Sequence, residues 1–243
     1  MKKLAILATA LLVVASMTVQ AQNKFRGIVK YKLESTGTTS FQIPAEQSTA
    51  ELKVYDDQLL MGPQIQNGYK VTANADYSMY IQYLAANDIE LETYRGDAKF
   101  LVRENHTEAE GDSLAIEDKE PGHFYFEYVD GETQEMVGFT AKKAILHHYD
   151  EDTGEDNPTV FWYTDEMGPK YNFLFGGIKG VPLKFEQQLG EGKAVTYTCT
   201  DIVKGKVKDV DMLLPAGFKE ASKEEMELFS KELKEAFELL GDE

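Results

Sequence analysis

The sequence predicts a mainly β protein, a curved antiparallel sheet or incomplete barrel of about ten strands covered by an amphipathic C-terminal helix. Three observations carry that expectation. Short runs rich in Val, Tyr, Phe and Thr recur along the chain with period-two alternation, each bounded by Gly, Asn, Asp or Pro turn residues. Sustained helical spacing is confined to residues 222–240. No Pro/Ser/Gly-rich linker interrupts the body, so residues 22–243 read as a single β-rich domain.

The N-terminus stands apart from this pattern. Lys2 and Lys3 precede an apolar run over 4–15, and Val19-Gln20-Ala21 supplies a small-residue cleavage site, so residues 1–21 read as a signal peptide. The run is short of the roughly 18–20 residues of a membrane span, and no cysteine follows it to carry a lipid. The expectation is an exported, periplasmic protein, soluble and not lipid-anchored, with no integral membrane segment after processing. Removing Lys2 and Lys3 takes the formal charge from −17 to −19, on a chain with 42 acidic residues. Such a surface repels nucleic acid. Cys199 is the single cysteine, so packing rather than an intrachain disulfide must stabilise the fold.

Residues 25–34 alternate, with Phe25, Gly27, Val29, Tyr31 and Leu33 on one face and Arg26, Lys30, Lys32 and Glu34 on the other. This is a half-buried opening strand. Residues 50–55 and 59–61 flank Asp56-Asp57-Gln58 as a hairpin, and 69–72, 77–84, 89–94 and 98–103 continue the meander. The acidic stretch 104–122 reads as an exposed loop with room for a turn of helix. Phe124, Phe126 and Tyr128 line one face of the next strand, with Gly131-Glu132 turning the chain toward a strand over 133–139. Residues 138–149, the acidic turn over 150–157, 160–165 and the return strand at 180–186 then form one unit. Both faces of 160–164 are bulky, which predicts a central strand. Residues 194–203 and 206–212 read as the last strands. Ser222 with Glu225 makes a capping box, and Met226, Phe229, Leu233 and Phe237 recur at helical spacing as its buried stripe.

Several of these runs together are familiar. The opening Phe25-Arg26-Gly27-Ile28-Val29-Lys30-Tyr31, the strand Gly138-Phe139-Thr140-Ala141-Lys142-Lys143-Ala144, Val160-Phe161-Trp162-Tyr163-Thr164-Asp165, Gly180-Val181-Pro182-Leu183 and Leu214-Pro215-Ala216-Gly217-Phe218 resemble uncharacterised periplasmic families of Bacteroidota, of the GLPGLI and related kinds. Those are similar in turn to the lipoprotein-carrier (LolA-like) superfamily, and the resemblance implies an incomplete antiparallel barrel closed by helices around a lipophilic cavity. It carries no catalytic residue with it. Phe139 and Ala141 stand where the pattern leads one to expect Tyr and often Cys.

Chemical motifs are few. Asp150, Asp152 and Asp156 suggest a calcium loop, but counting from Asp150 the sixth and twelfth places hold Glu155 and Phe161 rather than Gly and a bidentate carboxylate. A solvated turn is the better reading. His147 and His148 are adjacent on a strand, so they leave opposite faces. Cys199 shares its face with Val195 and Tyr197 and reads as a buried thiol. No catalytic residue, metal ligand or cofactor is expected. The surplus of large aromatics, namely Tyr31, Phe126, Trp162, Phe173 and Phe185, suggests a wall for a lipophilic ligand. The functional expectation is a non-enzymatic binding or carrier module with a lipophilic small molecule or an envelope protein as partner. The alternatives are a structural or partner-binding envelope protein without a cavity, and a carboxylate-dependent hydrolase.

Overall fold

A computed structural model describes residues 25–39, 41–62, 69–74, 78–83, 100–114, 120, 122–190, 192–213, 219–220, 222, 224 and 227. The expected signal peptide lies outside them, as do the segment 89–94 and the C-terminal helix apart from Ser222, which is exposed and not helical, and Glu224 and Glu227, which are helical and exposed.

The chain is mainly β. Among the described residues the strands are β1 (Arg26–Gly37), β2 (Thr49–Tyr55), β3 (Gln58–Gly62), β4 (Tyr69–Ala73), β5 (Ser78–Tyr83), β6 (Phe100–Asn105), β7 (Phe124–Met136), β8 (Phe139–His148), β9 (Thr159–Thr164), β10 (Tyr171–Asn172), β11 (Ile178–Lys179), β12 (Val181–Gly190), β13 (Lys193–Lys204) and β14 (Lys219–Glu220), and a short helix, α1 (Glu108–Ser113), follows β6. Among the described residues one sheet holds twelve of them, in the order β14-β6-β5-β4-β3-β2-β1-β13-β12-β9-β8-β7, while β10 and β11 pair separately. Neighbours are antiparallel except β14 with β6. The sheet thus exceeds the expected ten strands. The eight strands from β3 to β7 in that order curl as a half-barrel. No described helix is long and apolar enough to cross a membrane.

The curl follows from burial. Val29, Tyr31 and Leu33 of β1, Leu52 and Val54 of β2, Leu59 and Met61 of β3, and Tyr197 and Cys199 of β13 are all buried and share one face through their register. Phe185, Phe161 and Phe126 extend the same core across β12, β9 and β7. The opposite face of β1 and β13 carries Lys30, Lys32, Thr196 and Thr198, paired Lys32 with Thr198. A twisted sheet with one apolar face buries it by wrapping that face inward. Burial of each large side chain there is worth about 1.5–3 kcal/mol.

Two local expectations are corrected. The hairpin between β7 and β8 turns at Val137-Gly138, where both residues have positive φ (46° and 82°), and not at Gly131-Glu132. Two-residue hairpin loops demand this left-handed pair. Gly131, also at positive φ, instead occupies the irregularity between Val129 and Thr133 within a single long strand. Residues 206–212 are not a strand: 209–212 form a 3-10 turn, because the Asp211 carboxylate accepts the Lys208 N–H at 2.8 Å and folds the chain back locally. Alternation of Val207, Asp209 and Asp211 imitates strand periodicity over too few residues to distinguish the two.

Candidate functional site: an aromatic cleft inside the curl

Inside the half-barrel lies a cleft of about 920 Å³. Met61 of β3 and Phe124 of β7 both line it, although these strands lie at opposite ends of the eight-strand curl. Only a wrapped sheet brings them to one space. Between them stand Tyr197 of β13, Phe185 of β12, Phe161 and Thr159 of β9, and Leu146 and His148 of β8. The facing wall is Leu174-Phe175-Gly176, a 3-10 turn that follows β10 and ends on Gly176 in the left-handed conformation.

The aromatic wall is a stack. Phe185 lies parallel to Tyr197 at 4.6 Å and to Phe161 at 5.3 Å, and Phe175 meets it edge-on at 5.1 Å. Phe161 in turn receives Phe126 edge-on at 5.6 Å. Offset-stacked and T-shaped pairs are each worth about 0.5–1.5 kcal/mol beyond the area they bury. The wall is therefore stiff, which suits a preformed apolar site.

The cleft opens where the sheet parts. The β9–β12 ladder runs from Thr164 and Val181 to Trp162 and Lys184, with an irregularity at Leu183, and stops there. β9 continues beside β8 to Thr159, while β12 continues beside β13 to Gly190. At the start of this ladder a Cβ on Gly180 would stand 2.1 Å from the Thr164 carbonyl oxygen, so glycine is required for the close approach. Tyr31, buried at 1% exposure, donates its hydroxyl to the Pro182 carbonyl at 2.7 Å. It anchors the closed end of the junction.

The polar rim comes mainly from the turn joining β8 to β9. Asp150 Oδ1 accepts the N–H groups of Thr153 and Asp152 and the Thr153 hydroxyl. The Thr153 bonds, then that from Asp152, hold this carboxyl below its usual range, with a smaller contribution from nearby His148. The oxygens of this turn thus serve its own backbone, as a solvated Asx-type turn does. On the outer face His147 stacks on Tyr125 at 4.7 Å and lies between Asp156, 2.8 Å from Nδ1, and Glu127, 3.1 Å from Nε2. Burial pulls its pKa down, but the two carboxylates together carry it above the ordinary value.

The aromatics singled out from sequence are dispersed. Phe185 lines the cleft; Tyr31 and Phe126 are buried behind it in the core. Trp162 is half-buried on the other side of β9 from Phe161, in register with Lys143 and Lys184, and Phe173 stacks on His106 at 4.3 Å. Neither is part of the cleft lining. Phe124, Phe161, Phe175 and Tyr197 line it without having been selected. Strand parity carried the missing signal, since Phe124 shares a face with Phe126, and Phe161 leaves β9 opposite Trp162. Cys199 is buried, with desolvation pushing its thiol up to about 11.

No family profile matches the chain, and no curated protein matches it in sequence. Among solved structures it is similar to the Mycobacterium tuberculosis lipoprotein LppX, at 12% identity over 84% of this chain and 99% of that one, with a TM-score of 0.29. It is similar also to a LolA superfamily protein of Nitrosomonas europaea, at 8% identity over 79% of this chain and 91% of that one, TM-score 0.31. A DUF1329 family protein from Desulfovibrio piger shares 12% identity over 83% of this chain and 93% of its own, TM-score 0.21. These are distant likenesses, and the chemistry of the cleft is read from its own residues.

Proposed function

We propose that this chain is a non-enzymatic binding or carrier module that holds a lipophilic ligand in the cleft of the half-barrel. One observation carries the reading: a space of about 920 Å³ walled by Phe124, Phe161, Phe175, Phe185, Leu146 and Met61. A volume of that size falls within the range of small-molecule sites, which are mostly apolar with a few polar groups at one end. Each CH₂ removed from water there contributes about 0.8 kcal/mol, so an acyl chain gains affinity with length. Asp150 at the rim commits its Oδ1 to its own turn, accepting from the Asp152 and Thr153 N–H groups and the Thr153 hydroxyl. With the signal sequence read at residues 1–21, the module works in the periplasm as one domain, and its strand motifs favour kinship with the GLPGLI-like periplasmic families.

Native mass spectrometry of protein purified from its own envelope tests the reading without guessing the ligand. An adduct of lipid mass released by organic solvent is expected. Trp162 faces away from the cleft, so the fluorescence reporter is a Trp162→Phe, Phe175→Trp variant, whose emission should shift to the blue on titration with acyl compounds. An empty spectrum together with unchanged emission refutes the carrier reading and favours a purely structural envelope protein.

A further inference from the structure

Resting on the carrier reading, we infer that the cleft selects acyl compounds whose head group is uncharged and hydrogen-bonding, such as a glycerol or amide head, and discriminates against free carboxylates. The argument begins with what β12 shows to the cleft. Glu186, Gln187 and Gln188 line it beyond the point where β9 has left the ladder. The side chains of Glu186 and Gln188 are engaged elsewhere. The Glu186 carboxylate accepts the Thr36 hydroxyl at 2.8 Å and the Gln188 amide at 2.8 Å, with the Thr196 hydroxyl at 3.5 Å. What Glu186 and Gln188 offer the cleft is therefore main chain, while Gln187, on the Phe185 face of β12, offers it a neutral side-chain amide. Alternate residues of an antiparallel strand send both N–H and C=O to each flank, so the flank that β9 vacates presents neutral donors and acceptors side by side. A hydroxyl or amide head, itself donor and acceptor, satisfies both.

The charges at the mouth point the same way. Among the described residues neither Lys nor Arg lines the cleft. The Asp150 carboxyl stands there, held below its usual range by its own turn with a smaller contribution from nearby His148. A carboxylate head would bring a like charge to Asp150 and find no Lys or Arg among the described lining residues to offset its desolvation. An acyl chain is equally well served by the aromatic wall in either case, so the head decides.

The test compares 1-monooleoylglycerol with oleate, same chain and below micellar concentration, competing for the mature protein in native mass spectrometry at pH 7. A preference for the glyceride of about tenfold or more is expected, shrinking as salt is raised because it is partly electrostatic. Asp150→Asn keeps the Oδ1 acceptor that organises the turn and should bring oleate toward parity. Oleate binding as well as or better than the glyceride overturns the inference while leaving the carrier reading intact. A preference that Asp150→Asn does not change overturns the role given to that carboxylate. Binding of neither compound refutes the carrier reading itself.

Discussion

Replacing Phe185 by alanine is the most direct probe of the aromatic wall. The ring is 5% exposed and touches Tyr197, Phe161, Phe175 and Tyr31 at centroid distances of 4.6, 5.3, 5.1 and 6.3 Å. Truncating a buried Phe costs about 3–5 kcal/mol, and four lost ring pairs push toward the upper end. Against that, the ring lines the cleft, so the new void joins an existing space, and less cavity energy is lost. We expect about 3 kcal/mol. With a urea slope of about 2 kcal/mol/M, the unfolding midpoint falls by about 1.5 M at unchanged slope. Trp162 emission follows the transition, since that side chain lies on the other face of β9 and is not perturbed by the cleft. A loss below about 1 kcal/mol would show that the stack is not the continuous core wall described here.

Three further outcomes are expected. The raised pKa of His147 means that its bridge between Asp156 and Glu127 contributes fully below about pH 6.5, the ordinary value, and is lost as pH rises through the folded value. Hydrogen exchange of the turn amides 152–157 should therefore speed up more across neutral pH than intrinsic exchange does, and His147→Gln should abolish the difference; a wild-type profile identical to the variant's sinks the role given to this bridge. Val137 is 37% exposed and holds φ 46°, which costs a β-branched residue about 1–2 kcal/mol; Val137→Gly should stabilise the protein by up to about 1 kcal/mol in the same urea assay, and destabilisation would contradict the turn geometry. The Cys199 thiol should resist a thiol reagent in the native state at pH 8 and react at once in urea, because burial holds it protonated; fast native labelling would refute its burial.

The β class, most strand positions and the buried parity of β1 were legible because alternation is a local property: Val29, Tyr31 and Leu33 declare their face without reference to any partner. The half-buried hairpin β2–β3 followed from the same rule and from Asp56-Asp57. Turns were less legible. Gly131 and Gly138 look alike in sequence, and only pairing decides which one reverses the chain and which one sits in an irregular stretch of a continuous strand. The cleft was the least legible of all. Aromatic content marked a surplus, yet which rings meet depends on register and curl, and these set Met61 and Phe124 in one space across eight strands. Trp162 and Phe161 are adjacent in sequence and both aromatic, and a period of two residues sends them to opposite faces. The sequence by itself determined that some face would be aromatic and buried; the wrapping of the sheet decided which one, and the parting of β9 from β12 decided where it opens, because both arise from contacts between residues far apart in the chain.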